Sequence, residues 1–445
     1  YRLMKKTIYA AQHPLKGSLT VPGDKSISHR AVMLGALSEG DTHVSGFLNG
    51  ADCLSTIGCF RHMGIAIELD QRETEVVIHG RGLRGLQKPD GMLDCGNSGT
   101  TTRLISGILA AQDFDSELTG DESIQKRPMK RIMIPLQEMG ADIRSIRENG
   151  CAPLAIHGQK LHGIRYSSPV ASAQVKSSIL FAGLYAEGPT TVIEPALSRD
   201  HSERMLRALG ADVSTRLLPD GRAEITLQPG ATLAALPETL EVPGDISSAA
   251  YFISAALLVP GSDVLIRNVG INDTRAGILD AYAAMGADIT LENRRLAGFE
   301  DVADIHVRYS ASLHGTEIAG AMIPRLIDEL PVIAAVAAGA DGRTIFRDAQ
   351  ELKVKESNRI AVMVEGLRAL GISAEETEDG MIIEGQGSGL RVGSGTIDTH
   401  KDHRIAMTFA VLALAGDERT AVELLDADCI QISYPGFYED LSQLL

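Results

Sequence analysis

Tryptophan is absent from the 445 residues, and aromatic side chains make up only 4% of them. So lean a supply argues against a stacking platform for single-stranded nucleic acid. Positive charge is in the minority: 42 Lys and Arg against 58 Asp and Glu give a net charge of −16. That sign argues against a nucleic-acid coat or a binder of anionic membranes. The five cysteines (Cys53, Cys59, Cys95, Cys151, Cys429) are odd in number and form no CxxC pair, so neither a disulfide framework nor a zinc site is suggested. The longest apolar runs, Pro331–Ala340 and Ala249–Pro260, are too short to span a bilayer. No signal-peptide-like apolar stretch opens the chain. GxxxxGKS/T and HExxH are missing as well, which removes a P-loop and the commonest paired-histidine metal pattern. These absences predict a cytoplasmic protein with no nucleic-acid or membrane partner and no metal.

What is present is ordinary globular material, 44% hydrophobic and 22% charged, in a chain longer than one hydrophobic core usually serves. Three signals recur. A helix-like stretch closed by Gly and followed by a strand-like start appears at Gly64, Gly140, Gly210, Gly286 and Gly371, at steps of 76, 70, 76 and 85 residues. Gly suits the left-handed residue that ends a helix. Alternating with these are six small-residue-rich apolar helices at 26–40, 98–112, 172–188, 246–261, 329–339 and 402–416. They are apolar nearly all round, so they are expected to be buried. The third signal is a β-branched strand with a tight turn, as in Val76–Gly80, Leu154–Gly158, Ala223–Thr226, Asp304–Val307 and Met381–Gly385. Six such units, the last one truncated, divide into three plus three. The expected architecture is α/β with two similar lobes, joined where Thr20-Val21-Pro22-Gly23-Asp24 is echoed by Glu241-Val242-Pro243-Gly244-Asp245.

Basic residues gather at or near the expected helix starts. The clusters are Asp24–Arg30, Gly96–Arg103, Lys126–Pro128, Ser172–Lys176, Arg199–His201, Lys353–Arg359 and Lys401–Arg404. A helix start offers free N–H groups and a positive dipole end to phosphate or carboxylate. Capping alone explains any single Ser or Thr there. Seven clusters in an acidic protein point instead to local anion binding. Gly99 allows a ligand to approach the backbone, with Asn97, Ser98 and Thr100 as small donors. The GxGxxG at Gly80, Gly82 and Gly85 is followed by Gln87-Lys88-Pro89 rather than by a helix, so it is not read as a dinucleotide site. Asp328, ahead of an apolar helix, and Glu356, three residues before Arg359, are the candidate acid–base groups. Spacing alone makes Glu356 a helix ion pair.

Lys25-Ser26-Ile27-Ser28-His29-Arg30, Gly96-Asn97-Ser98-Gly99-Thr100, Lys355-Glu356-Ser357-Asn358-Arg359 and Asp402-His403-Arg404 closely resemble the 5-enolpyruvylshikimate-3-phosphate synthases, from about Leu15 to Leu445. The resemblance implies the enolpyruvyl transferase fold, two lobes of three βαβαββ units each. It divides the chain into 23–242, the main shikimate 3-phosphate side, and 1–22 with 243–445, the main phosphoenolpyruvate and acid–base side, with the cations facing a cleft between them. It implies transfer of the enolpyruvyl group of phosphoenolpyruvate to the 5-hydroxyl of shikimate 3-phosphate with release of phosphate, a step towards chorismate and the aromatic amino acids. Lys25, Ser26, Arg30, Ser172, Ala173, Gln174, Asp328 and Lys355 would hold shikimate 3-phosphate. Lys25, Gly99, Arg127, Gln174, Arg359 and Arg404 would hold phosphoenolpyruvate. Asp328, Glu356 and Lys25 would be catalytic, and Asn97, Thr100, Arg199 and His403 are secondary candidates. A monomer without cofactor is expected.

Three positions depart from the best-known branch of that family: Ile432 stands where it has Lys, Glu351 where it has Asn, and Leu104 where it has Pro. The 172–176 and 199–201 stretches look like the second branch (class II-like), in which tolerance of the inhibitor glyphosate is frequent. Gly99 keeps the phosphoenolpyruvate pocket open, so glyphosate is expected to bind. The nearest rival is the related UDP-N-acetylglucosamine enolpyruvyl transferase, which typically has a loop cysteine ahead of its Arg-Pro. Here no cysteine lies between Cys95 and Cys151. A non-catalytic anion-binding protein on the same repeats is the rival of another class.

Overall fold

The computed structural model describes residues 4–445. The chain folds as two compact units, one from Gly23 to Val242 and the other from the segment up to Pro22 together with Pro243–Leu445. Each is built from three sheets and three central helices.

In the 23–242 unit the repeat is plainest in its middle copy. Strand Leu93–Asp94 pairs parallel with Asp115–Thr119, which pairs antiparallel with Leu154–His157, which is joined in turn by Asp142–Ser145. Helix Gly99–Leu109 makes the parallel crossover and helix Lys130–Glu138 leads into the hairpin. Its neighbours repeat the order, with sheet 165–167, 190–194, 223–228, 212–217 and sheet 240–241, 39–45, 76–81, 67–69. In the last of these the opening strand, Leu240–Glu241, comes from the far end of the unit. Of the GxGxxG glycines, Gly80 lies in strand Val76–Arg81 and Gly82 and Gly85 follow it, with no helix directly after them.

The other unit repeats the plan with sheets 16–20, 263–270, 300–308, 288–297 and 317–318, 341–346, 381–386, 374–376. Strand Lys16–Thr20 pairs parallel with Asp263–Gly270. The sixth sheet has three strands: Gly395–Asp398 lies parallel to Ala421–Leu425, and Lys6–Tyr9 completes it antiparallel. The copy that looks truncated in sequence is thus filled from the start of the chain. The five expected helix-ending glycines all adopt left-handed backbone, with φ of +87°, +97°, +103°, +83° and +82° in chain order.

The six small-residue helices are the buried ones. Every residue of Ile246–Leu258, Leu330–Ala337 and His403–Leu414 is buried, and these three pack on one another. Removing each such Leu or Ile from water contributes about 1.5–3 kcal/mol. Buried hydroxyls bond back along their own helix, as Ser254 Oγ does to the Ala250 carbonyl. In the other unit a Cβ at Gly107 would fall 2.1 Å from the Ser178 carbonyl oxygen. The bare glycine therefore lets helices Gly99–Leu109 and Ala173–Gly183 touch by their backbones. The scarce aromatics are concentrated: Tyr251, Phe252, Tyr434 and Tyr438 surround Phe437. Among the described residues no helix is long and apolar enough to cross a membrane.

Candidate active site

The buried helices begin with the motifs singled out in sequence, and their first turns carry the polar groups. In the 23–242 unit Asp24 caps helix Lys25–Leu37 by accepting from the Ile27 amide at 2.9 Å. Ser98 and Ser172 do the same for helices Gly99–Leu109 and Ala173–Gly183, at 2.9 and 3.3 Å. For these two serines capping is what the hydroxyl does. Ser26, one residue into its helix, is not a cap: its hydroxyl accepts from Arg199 Nη1 at 3.4 Å.

Two groups of cations form in this unit. In the first, Arg30 is buried and donates to Ser202 Oγ at 2.7 Å, Ser177 Oγ at 3.1 Å and the Ser26 carbonyl at 3.0 Å. Lys25 lies 2.6 Å from Asp52. His29 between them stays neutral, because burial and then the charges of Lys25 and Arg30 push its pKa well down. In the second group, Arg103 donates to Gln174 Oε1 at 2.5 Å and to the Pro128 carbonyl at 3.0 Å. Gln174 donates in turn to Thr100 Oγ1 at 3.2 Å. Arg127, also buried, donates to the Asn97 carbonyl at 3.2 Å, and Asn97 is tied to Asp121 at 2.8 Å. Both guanidiniums end at Gly99: a Cβ there would lie 2.5 Å from Arg127 Nη2 and 2.8 Å from Arg103 Nη1. Two like charges and a helix start converging on a bare Cα make a receptor for a small anion. Arg103 was quoted in sequence only as part of its cluster, and nothing in the spacing showed that it shares Gly99 with Arg127.

Lys176 corrects the sequence reading. Grouped there with the cations at helix starts, it is wholly buried and bound to Glu194 and Glu203, so its charge is committed inside the unit. Ala173 is the first residue of its helix.

In the other unit the arrangement turns on Arg359, the first residue of helix Arg359–Ala369. Its Nε and Nη2 donate to the two oxygens of Asp402 at 2.9 and 3.2 Å, Nη2 also to Glu356 at 2.6 Å, and Nη1 to Asp328 at 3.3 Å. Burial opposes its charge, but Asp402, Glu356 and Asp328 more than compensate and raise its pKa. Glu356 does lie in an ion pair with Arg359, yet not along a helix: Asn358 is the cap and Glu356 sits in the turn before it. Freed from helical geometry, it shares one guanidinium with Asp328. Asp402 caps helix His403–Leu414 by accepting from the Arg404 amide at 3.0 Å and also accepts from Ser357 at 2.7 Å. Arg404 is buried. Against the cost of that burial, Tyr251, Asp328, Asp245 and Glu329 hold its pKa well up. His403 bonds Ser433 through Nδ1. Lys355, just after a 3-10 turn, is half-buried, as are Glu351 and Ile432, whereas Leu104 in the other unit is fully buried.

Glu356, Asp402 and His403 each bring a potential ligand atom within 4.8 Å of the others. Two of the three already accept from Arg359, so a guanidinium supplies the positive charge a cation would bring. Sequence reasoning missed the central place of Asp402, 43 residues from Arg359, and that of Asp52 beside Lys25. Asp402 was quoted only within its motif, and Asp52 was not singled out.

Comparison with known proteins gives the family. The family model for EPSP synthase (3-phosphoshikimate 1-carboxyvinyltransferase) matches residues 9–441. The chain is 51% identical over 435 residues to the 3-phosphoshikimate 1-carboxyvinyltransferase of Desulforamulus reducens and 52% identical over 430 residues to that of Brevibacillus brevis, covering 97% of each chain in both cases. The solved EPSP synthase of Acinetobacter baumannii superposes with a TM-score of 0.86 at 47% identity, over 99% of this chain and 98% of that one. An enolpyruvyl transferase, NikO from Streptomyces tendae, shares the fold with a TM-score of 0.78 at 16% identity, over 99% and 97%. The chain belongs to the EPSP synthase family, the 3-phosphoshikimate 1-carboxyvinyltransferases.

Proposed function

We propose that this protein transfers the enolpyruvyl group of phosphoenolpyruvate to the 5-hydroxyl of shikimate 3-phosphate and releases inorganic phosphate, in the cytoplasm, on the route to chorismate. Each substrate carries a phosphate and a carboxylate, and bidentate guanidiniums suit both groups. Lys25, Ser26, Arg30, Ser172, Ala173, Gln174, Asp328 and Lys355, with Arg199 beside Ser26, take shikimate 3-phosphate. Lys25, Gly99, Arg127, Gln174, Arg359 and Arg404 take phosphoenolpyruvate, with Asn97 and Thr100 supporting that loop. His403 stays a secondary candidate on the same side.

The observation that carries the chemistry is one guanidinium, Arg359, bonded to both Asp328 and Glu356. In the addition step Glu356 donates a proton to the methylene carbon of phosphoenolpyruvate while Asp328 takes the proton of the attacking hydroxyl. The new C–O bond then gives a tetrahedral intermediate. In elimination the C–O bond to phosphate breaks, and the methyl group returns a proton to Glu356. The phosphate leaves with the proton held by Asp328. Cations fixed in advance stabilise charge that develops on the carboxylate and the leaving phosphate.

A coupled assay for phosphate release tests the reading. Release is expected with phosphoenolpyruvate and shikimate 3-phosphate and not with phosphoenolpyruvate and UDP-N-acetylglucosamine. The opposite selectivity would assign the rival transferase, and binding without any release would assign an anion-binding protein. The same pocket is proposed to admit glyphosate, with tolerance of the second-branch kind depending on Gly99. A methyl group there would meet Arg127 at 2.5 Å and push the guanidinium aside. Gly99→Ala is therefore expected to weaken glyphosate inhibition by about tenfold or more, at a smaller cost to phosphoenolpyruvate. An unchanged inhibition curve would remove the steric account.

A further inference from the structure

The buried charges around Lys176 have no part in the chemistry above. The Lys176 ammonium lies 3.2 Å from Glu194 Oε2 and 3.0 Å from Glu203 Oε2, and it donates to the Ser198 carbonyl at 3.2 Å. Glu194 accepts from the amide of Ser198 at 3.0 Å and from its hydroxyl at 2.6 Å. Lys176 and Glu203 are fully buried and Glu194 is 1% exposed. Burial opposes the Lys176 charge, yet Glu194 and Glu203 raise its pKa, while burial raises that of Glu203. Taking such groups out of water costs several kcal/mol each, and well-packed apolar residues of similar volume often serve stability equally well. Stability alone is a poor reason for this cluster.

Its chain neighbours supply a better one. Ser198 precedes Arg199, which reaches the Ser26 hydroxyl. Ser177 follows Lys176 and Ser202 precedes Glu203. Those two hydroxyls bond each other at 2.6 Å, and both accept from Arg30. Moving Lys176 or Glu203 along or around its helix therefore moves the acceptors that aim Arg30, and shifting Ser198 moves the backbone from which Arg199 reaches Ser26.

We propose that Lys176 is a positioning residue for shikimate 3-phosphate: with Glu194 and Glu203 it fixes helices Ala173–Gly183 and His201–Ala208 and the Ser198 loop in one register, so that Arg30 and Arg199 are presented together to the substrate. This rests on the assignment of Arg30, Arg199 and Ser26 to shikimate 3-phosphate.

Calorimetric titration with shikimate 3-phosphate tests it on folded, monodisperse protein. Lys176→Met is expected to weaken binding by about tenfold or more, as displacement of a positioned group does, and Lys176→Arg to restore part of it. In an Arg30→Ala background the same Lys176→Met change should cost less than about twofold, because the two act as a unit. Wild-type affinity in Lys176→Met, or a full additional loss in the Arg30→Ala background, would overturn the inference. Where Lys176→Met does not fold, Glu203→Gln, which keeps the volume and removes only the charge, takes its place. An affinity equal to wild type there has the same consequence. A wild-type chain that binds no shikimate 3-phosphate at all would overturn the functional reading, and this inference with it.

Discussion

The two lobes use one repeat plan but surround their helix-start arginines differently. In Gly23–Val242 the guanidiniums of Arg30, Arg103 and Arg127 rest on hydroxyls, an amide oxygen and peptide carbonyls. In the other lobe Arg359 meets three carboxylates, and Arg404 faces Asp328, Asp245 and Glu329. Neutral partners of this kind fix a cation's place without cancelling its charge, although in the same lobe Lys25 meets the carboxylate of Asp52. Carboxylate partners neutralise the cation, and in exchange the cation holds the acids in a set geometry. On the proposed function the first lobe thereby leans towards gripping anions and the second, whose Arg359 and Arg404 also hold phosphoenolpyruvate, towards moving protons.

The sharpest test of that division lies at Glu356. Glu356→Gln keeps a side chain that can still accept from Arg359 but removes the transferable proton. Turnover is expected to fall about 10²–10⁴-fold, with shikimate 3-phosphate affinity within about threefold of wild type. A loss mainly in affinity would mean that this lobe, too, is chiefly a binder. Next in size is Arg127→Ala, which deletes a buried cation from the gripping lobe. Weakening of phosphoenolpyruvate by about 2–5 kcal/mol is expected, read as a rise in its Michaelis constant, and an unchanged constant would erase the contrast from the other side.

The smallest effect asks whether the contrast stops at the helix starts. On the outer sheet faces the lobes look alike: His306 bridges Asp263 and Glu292, and His79 bridges Asp41 and Glu68. The hydrogen bond to Asp263 raises the pKa of His306, and the one to Asp41 that of His79, above the ordinary 6.5. A base whose folded pKa exceeds its unfolded value adds stability that is complete below the unfolded value and fades as pH climbs through the folded one. His306→Gln and His79→Gln should each lower the thermal midpoint slightly at about pH 5.5 and not at all by about pH 9. Deficits that grow with pH, or that appear in one lobe only, would break the parallel.

Much of this was legible before any coordinates. Small apolar helices, glycine stops and β-branched strands are local signals, and six helices and five left-handed glycines stand where the sequence put them. The resemblance likewise named Asp328 and Glu356 as acid–base groups and Arg359 as a phosphoenolpyruvate contact, and the structure bonds Arg359 to both acids. What stayed hidden were pairings across long sequence distances. Lys176 looks like any other lysine near a helix start until Glu194 and Glu203 are seen to enclose it. Asp402 looks like a routine cap until Arg359 reaches it. The placement of Glu356 before the helix rather than on it depends on Asn358 taking the capping role, a choice that three-residue spacing does not reveal.

Strands Lys6–Tyr9 and Lys16–Thr20 finish sheets whose other strands lie beyond residue 262. A ribosome therefore releases these two strands long before their partners exist. At about 5–20 residues per second, Lys16–Thr20 waits roughly 12–50 s for Asp263–Gly270, while every strand needed by the 23–242 lobe has already emerged. Birth order thus favours the gripping lobe maturing first, with an orphan edge upstream that neighbouring nascent chains could capture. The proton-moving lobe is a late arrival.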